Sequence, residues 1–423
     1  MIDINRIRNN KEEVEKALLK RMDNVDLDAV LEWDKEKRKI GTLMDEYRNE
    51  RRKVSDTIPR MKKEGKATTE VVAEMKELGN KIDEGMIKYN ELDKKIFDYI
   101  AGLPNTPDED VPTGGKENNV VLTTYLEKPT FDFELKPHYE ILKEKKMVDY
   151  ERGTKLAGEK NWIYTGIGAR LEWALINYFI DTHIKNGFQF MMLPYMLNYE
   201  CGFGAGQFPK FTDEVYTINT EDGNKKFLLP TAETALVNVH SNEIMDINEL
   251  PKKYFAYTQC FRVEAGSSRE EERGTIRGHQ FNKVEMVQYV TEDKTEEAFD
   301  ELLNIAEGLM KSLGLHYQVS KLAAADCSAG MCRTYDIEVW IPSMGIYKEV
   351  SSVSNSRDYQ ARRNNTKYRD EKGNLHYVCT LNGSGLATSR LVPSIVEQYQ
   401  NEDGSITVPE VLRPYLNNME YIK

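Results

Sequence analysis

Two apolar seams between Leu27 and Tyr99 constrain this chain more than any other feature. The first runs Ile40, Met44, Tyr47, Arg51, Val54, Ile58, Met61. The second runs Met75, Leu78, Ile82, Gly85, Tyr89, Leu92, Ile96, Tyr99. Steps of four and three alternate in both, which is the spacing of a coiled coil. Between them, Lys62–Thr68 is a short break in which Gly65 suits a helix end. Two helices joined this way fold back into an antiparallel hairpin. At the helical rise, such an arm is roughly 50 Å long. Pro59 should kink or break the first helix near its tip, because proline removes a hydrogen bond and clashes with the preceding turn.

Charge on this arm is uneven. Arg48, Arg51, Arg52, Lys53, Arg60, Lys62, Lys63 and Lys66 crowd the distal half of the first helix and the tip, against Glu50, Asp56 and Glu64. A charge run is commonly a solvated face. Here the cluster is positive on a chain of net charge −12, and a phosphate backbone is the surface that would match it. The net charge excludes a uniformly basic nucleic-acid coat but not a local patch.

A chain of 423 residues has room for two or three domains. Pro104-Asn-Thr-Pro107-Asp-Glu-Asp-Val-Pro112-Thr-Gly-Gly115 forbids continued helix. The expected organisation is an N-terminal domain over 1–103 with its arm at about 27–100, a linker over 104–115, and a second domain over 116–423. The opening MIDINRIRNNKEEVEKALL lacks the apolar segment of a signal peptide, and no apolar run is long enough to span a membrane. Cys201, Cys260, Cys327, Cys332 and Cys379 are scattered and odd in number, which suits free thiols in a reducing cytoplasm. Cys327 and Cys332 are not spaced like a common zinc pair, so no zinc is expected.

Beyond residue 116 the pattern changes. Gly166–Asn186 has apolar residues at three-to-four spacing and reads as an amphipathic helix. Strands are expected at Phe188–Leu193, Phe227–Leu229, Tyr254–Val263, Tyr335–Ile341, Tyr347–Ser352 and Tyr377–Leu381. Pro230-Thr231-Ala232-Glu233 opens a helix with Thr231 as cap. Asn382-Gly-Ser-Gly385 reads as a tight turn into a helix over 386–399, with Gly383 and Gly385 serving the turn. Strands with few crossover helices between them imply a largely antiparallel sheet in an α+β fold. Neither a P-loop nor a Rossmann fingerprint is present.

Phe261–Met286 reads FRVEAGSSREEERGTIRGHQFNKVEM: two alternating runs around a charged loop. Residues two apart on a strand share a face. Arg262 and Glu264 would share one, and so would Arg277, His279, Phe281, Lys283 and Glu285. Taken alone, this hairpin is either a surface ribbon with solvated charges or a presented surface of one arginine, an aromatic ring and carboxylates.

The long helix and strand ending in Pro194 resemble motif 1 of the class II aminoacyl-tRNA synthetases. FRVE, the charged loop and RGHQFNKVE resemble motif 2, and LNGSGLATSR resembles motif 3. GAGQFPKF, PTAE, TYDIEVW, EVSSVSN and DYQARR, the coiled-coil arm, LPNTP and VPEVLRPY are similar, in order and spacing, to bacterial-type seryl-tRNA synthetases. The resemblance spans essentially the whole chain. It implies an antiparallel class II catalytic domain and ligation of L-serine to tRNA(Ser), with tRNA(Sec) as a further acceptor, through an ATP-derived seryl-adenylate. It also implies Mg²⁺ with ATP, a homodimer built through motif 1, and a cytoplasmic enzyme with no membrane partner.

The same resemblance implies roles for residues. Arg262 and Arg390 are the catalytic arginines: Arg262 holds the α-phosphate and the substrate carboxylate, Arg390 the γ-phosphate side and adenine. A guanidinium fork suits phosphate oxygens. Phe281 stacks on the base and Glu264 accepts from the nucleotide, with Val263, Gly278, Val350 and Ser351 completing the ATP contacts. Glu349 and Ser352 are the implied Mg²⁺ ligands, a hard-oxygen set; Glu349 by itself could equally be a strand-end ion pair. Thr231, Ala232, Glu233, Glu285, Asn382 and Ser384 line the serine pocket, where polar groups reward a hydroxyl and leave alanine's methyl unmatched. Thr231 by itself could equally be a plain cap. His279 is expected to be structural.

The chain departs from the family pattern in several places. Glu270, Glu271 and Glu272, between Arg269 and Arg273, make the motif 2 loop unusually acidic. Gly278 stands where a larger aliphatic residue is usual, Ser389 replaces a glycine before the motif 3 arginine, and Asp326–Cys332 is atypical. These point to a divergent or second-copy form. Two other readings compete: an adenylating paralogue that acylates a non-tRNA acceptor, against which the full arm counts, and a non-catalytic RNA-binding relative, against which Arg262, Glu285, Glu349 and Arg390 count together.

Overall fold

The computed structural model describes residues 1–221, 223–264 and 273–423. They form two compact units, Ile2–Pro104 and Asn105–Lys423, the second including Met1.

In the first unit, α1 (Asp28–Lys63) and α2 (Thr69–Gly102) lie antiparallel and make the hairpin. Both seams face inward: Met44, Leu78, Leu92 and Ile96 are buried, and the other apolar seam residues are half-buried. Gly85 is a packing residue of the seam, since a Cβ there would stand 2.9 Å from Met44 Cγ. Pro59 does not break α1, which runs unbroken to Lys63. The site is exposed and close to the helix end, where water can take the carbonyl that proline leaves without a partner. Near the base, Arg8 donates to both oxygens of Asp34 at 2.9 Å and Arg38 Nε donates at 3.0 Å. Burial pushes the Asp34 carboxyl up, but its hydrogen bonds and the two guanidinium charges outweigh that and hold it below the usual range.

The second unit is organised by an eight-stranded sheet. Its strands are β1 (Val120–Tyr125), β2 (Gln189–Phe190), β3 (Lys252–Phe261), β4 (Gln280–Val290), β5 (Tyr317–Lys321), β6 (Arg333–Ile341), β7 (Ile346–Arg357) and β8 (Cys379–Ala387). The order is β1-β5-β6-β7-β8-β4-β3-β2. Every pairing is antiparallel except the short parallel contact of β2 with β3. The helices α3 (Gly166–Lys185), α5 (Thr295–Leu313) and α6 (Thr388–Gln398) bury Leu171, Phe179, Leu302, Leu309, Leu391 and Ile395 in one core with Val284, Ile337, Val353 and Leu381 of the strands. A one-turn helix, α4 (Glu233–Leu236), follows Pro230. Among the described residues no helix is long and apolar enough to cross a membrane.

Four sequence expectations are corrected here. Asn382–Gly385 is not a turn: it lies inside β8, and the helix begins only at Thr388. Gly385 is needed because α3 presses its His183 onto the strand, where a Cβ would lie 2.1 Å from Nε2. The strand expected at Phe188–Leu193 shrinks to Gln189–Phe190, at the sheet edge. The motif 2 ladder closes at Phe261 opposite Gln280, so Arg262, Glu264, Arg277 and His279 stand beyond the strand ends. The segment expected as a linker over 104–115 joins the second unit from Asn105 onward, with Asn105, Thr106, Asp108 and Val111 buried. The Asn105 side chain donates to the carbonyls of Gly330 at 3.0 Å and Ser356 at 2.9 Å.

Candidate active site

Antiparallel register builds the site. Glu285 of β4 lies opposite Ser384 of β8, so the two side chains emerge on the same face. The fully buried Glu285 carboxylate accepts from Ser384 Oγ at 3.1 Å and from Asn382 Nδ2 at 3.2 Å. Lys283, 7% exposed, pairs with Glu285 at 2.6 Å and donates to Thr231 Oγ1 at 2.8 Å. Thr231 therefore does more than cap α4, although its hydroxyl also lies 3.3 Å from the Glu233 amide. Glu233 accepts from Gln360 Nε2 at 2.8 Å. Burial first, then repulsion by Glu285, pushes its carboxyl up to about 7. Ala232 is fully buried beside it. Lys283 and Gln360 are members of this cluster that the sequence reading did not assign.

The adjoining cleft is lined by Arg262, Glu264, Arg277, Gly278, Phe281, Lys283, Glu349, Val350, Ser384, Ser389 and Arg390. The Arg262 guanidinium lies 5.1 Å from the centre of the Phe281 ring, and its Nε donates to the Pro230 carbonyl at 3.2 Å. Glu264, at φ 50°, is ion-paired with Arg277. Arg390 donates to the Glu349 carbonyl at 2.6 Å and lies 3.4 Å from its carboxylate. The room left between these side chains is about 40 Å³, whereas small-molecule pockets hold ~300–1,000 Å³.

Glu349 and Ser352 are three residues apart, which on a regular strand puts them on opposite faces. A register slip between the Ile337–Ser351 and Glu338–Glu349 pairs adds a residue at Val350 and rephases the strand,. Glu349 and Ser352 thus share a face with Glu338 and Asp336 across the ladder. Asp336 touches Ser352 and has a buried oxygen without a hydrogen-bond partner. Burial and its acidic neighbours push Asp336 up, and the positive charges of Arg390, Arg262 and Lys283 hold the exposed Glu349 below the usual carboxylate range. A hard-oxygen donor set beside a cation-lined cleft fits a magnesium ion that takes its remaining ligands from phosphate and water. Asp336 gave no signal beyond its place in TYDIEVW, because its role depends on register.

Other sequence-predicted residues separate. Ser351 is fully buried with its hydroxyl on the Ser384 carbonyl at 2.6 Å, and the Val263 amide is bonded to Glu214 O at 3.1 Å. His279 is tied to Arg262: its ring nitrogen lies 3.2 Å from the Arg262 carbonyl, and its own carbonyl accepts from the Arg262 amide at 2.9 Å. Gly278 has a packing cause, since a Cβ there would stand 2.3 Å from the Trp162 ring. Arg269, Glu270, Glu271 and Glu272 lie outside the described residues. In the first unit, Arg48, Arg51, Arg52, Lys53, Arg60, Lys62, Lys63 and Lys66 are all exposed. Arg48 pairs with Asp45 at 2.8 Å, and Glu64 takes Arg60 at 3.5 Å and Lys66 at 2.7 Å.

Residues 1–107 match the family described as the seryl-tRNA synthetase N-terminal domain. Residues 216–399 match the tRNA synthetase class II core domain (G, H, P, S and T). The chain is 55% identical to serine–tRNA ligase 2 of Clostridium acetobutylicum, over 98% of this chain and 99% of that one. It is 48% identical to the serine–tRNA ligase of Clostridium novyi over all of both chains. The chain belongs to the seryl-tRNA synthetase family. Its fold matches that of the Pyrococcus horikoshii seryl-tRNA synthetase complexed with ATP, with a TM-score of 0.94 and 32% identity over 100% of this chain and 99% of that one. The activity is that of a serine–tRNA ligase, an ATP-dependent class II aminoacyl-tRNA synthetase, and neither competing reading is favoured.

Proposed function

We propose that the Glu285 cluster is the serine pocket and that the cleft beside it is the ATP site. The observation that carries this is the continuity of the two through Lys283 and Ser384, which belong to both. Glu285, Thr231 and Asn382, with Glu233 beside them, offer partners to an ammonium and a hydroxyl, and alanine leaves the hydroxyl's partners unmatched. Arg262 bridges the serine carboxylate and the α-phosphate, Phe281 stacks on adenine, Glu264 accepts from the nucleotide, and Arg390 leaves Glu349 for the γ-phosphate. The serine carboxylate oxygen then attacks the α-phosphorus in line, the bond to the β-phosphate oxygen breaks, and pyrophosphate leaves with its electron pair. The protein supplies position and positive charge rather than a nucleophile. In the second step the terminal ribose hydroxyl of tRNA takes the seryl group and AMP leaves.

Glu349 and Ser352 would hold a Mg²⁺ ion, with Asp336 orienting Ser352, and the ion would supply positive charge against the phosphates. The exposed cations of α1 receive tRNA(Ser), with tRNA(Sec) as a further acceptor. The enzyme works as a cytoplasmic homodimer. The Clostridium acetobutylicum relative bears the name of a second serine–tRNA ligase, which supports reading this chain as a second-copy form. Pyrophosphate exchange tests the pocket. Wild type exchanges with serine and not with alanine or glycine, and Glu285→Ala raises the serine KM by about a hundredfold with the ATP KM little changed. An unchanged serine KM in that variant removes Glu285 from the pocket.

A further inference from the structure

Glu172 is a carboxyl group that neither the serine pocket nor the nucleotide cleft uses. It sits on α3, 4% exposed. Its Oε1 accepts from Asn282 Nδ2 at 2.7 Å and from the Thr388 hydroxyl. The same hydroxyl lies 3.2 Å from the Asn282 carbonyl. One carboxyl oxygen thus joins α3, β4 and α6. Both attachment points are close to the nucleotide cleft in sequence: Asn282 follows Phe281, and Thr388 precedes Arg390 by two residues. Asn282 is fixed from its other side too, where Tyr257 donates to Oδ1 at 2.9 Å. Glu172 also lines a cavity of about 250 Å³ with Gln259, Gln280, Trp162 and Tyr164, and this cavity shares Phe281 and Ser389 with the cleft.

We propose that Glu172 is a positioning residue of the nucleotide site: its Oε1 sets the spacing between the Phe281 end of β4 and the Arg390 turn of α6. The proposal rests on the assignment of Phe281 and Arg390 to ATP. A buried, otherwise apolar contact would hold the core as firmly. What the carboxyl adds is direction, because two donors from different elements must converge on one oxygen. No described ion pair includes Glu172. The ionisable groups that face it are Tyr164 and Tyr257, and its neighbours from β4 and α6 are the neutral Asn282 and Thr388. Burial, against the two hydrogen bonds, pushes the carboxyl up to about 7. The protonated and ionised forms both keep an acceptor at Oε1, so the tie does not depend on charge.

Steady-state pyrophosphate exchange on the full-length enzyme tests this. Glu172→Ala should raise the ATP KM about tenfold while the serine KM stays within about twofold. Glu172→Gln keeps a carbonyl acceptor in the same place and should restore the ATP KM to within about twofold of wild type. Thr388→Val keeps the shape, removes one donor, and should raise the ATP KM about threefold; it carries the test if the alanine variant does not fold. A folded Glu172→Ala or Thr388→Val enzyme with an unchanged ATP KM overturns the proposal. So does an equal rise in both KM values, or a glutamine variant as impaired as alanine. Phe281→Ala separates the two levels. If it leaves the ATP KM unchanged, the assignment of the cleft to ATP fails. If it raises the ATP KM and Glu172→Ala does not, the positioning role alone fails.

Discussion

Along α1, Arg51, Lys53, Lys62 and Lys63 stand in water and make no ion pair among the described residues. In the cleft of the second unit, Lys283 is 7% exposed and bound to Glu285, while Arg390 is turned onto Glu349. The same residue types are thus presented in one region and mutually neutralised in the other. Exposed cations lose little by waiting for a long polyanion, and each phosphate they meet releases a counterion. Buried cations cannot wait unpaired, since desolvation without a partner is costly. The cations of the hairpin are therefore presented as they stand, and those of the cleft would exchange one set of partners for another on meeting a ligand.

The sharpest way to break this contrast is to delete residues 40–96. Transfer of serine to tRNA should be abolished while serine-dependent pyrophosphate exchange stays within about twofold, as expected of domains that do separate work. Equal charging of tRNA by the deletion would dissolve the comparison. Removing one cleft cation comes next. Arg262→Ala should lower exchange by ~10²–10³-fold, the usual loss when one preorganised donor to developing charge is removed, and leave binding of tRNA unchanged. A variant that exchanged normally would show that the guanidinium is structural.

The periodic parts of this fold were legible because their rules are local. The seams of the hairpin could be read residue by residue, since a coiled coil repeats the same contact. Glycine was misread for the same reason. Asn382–Gly385 has turn composition, but Gly385 is there for His183, about two hundred positions earlier in the chain, and only tertiary packing shows that. Arg262, Glu285 and Arg390 were visible through motifs. Lys283 as a partner of Thr231, Asp336 beside Ser352, and Glu172 behind Phe281 were not, because each depends on register or on helix packing. Gly385→Ala sharpens this lesson. The added methyl must displace a buried ring, and overpacking of this kind should cost about 1–3 kcal/mol, read as a lower urea midpoint at constant slope. An unchanged midpoint would return Gly385 to the class of loop glycines.

Smaller effects distinguish the regions further. Alanine at Arg51, Lys53, Lys62 and Lys63 should leave stability within about 0.5 kcal/mol. It should weaken tRNA binding and flatten its dependence on salt by roughly one unit per lost phosphate contact. A steady salt dependence would mean that these cations face water rather than phosphate. The smallest expected signal is a pH slope in the interior. Burial raises Glu172 from 4.5 to about 7, so between those values the folded protein holds more protons than the unfolded chain. Stability therefore falls as pH rises through that window and levels off above about 7. Glu172→Gln should remove this contribution, so the stability of the variant relative to wild type should climb with pH between about 4.5 and 7. Parallel stability curves over that range would contradict the raised carboxyl.

The contact between Gly278 and Trp162 has a consequence for chimeras. A second motif grafted from a relative with a branched residue at position 278 would bring its own substrate contacts in good order and still strike an indole ring that the graft did not replace. Position 278 and the 160–162 segment, more than a hundred residues apart, must be inherited together. A graft that carries position 278 alone should give an unproductive hybrid, and one that also brings the 160–162 segment, whose Lys160 carbonyl would stand 2.9 Å from the same Cβ, a working one.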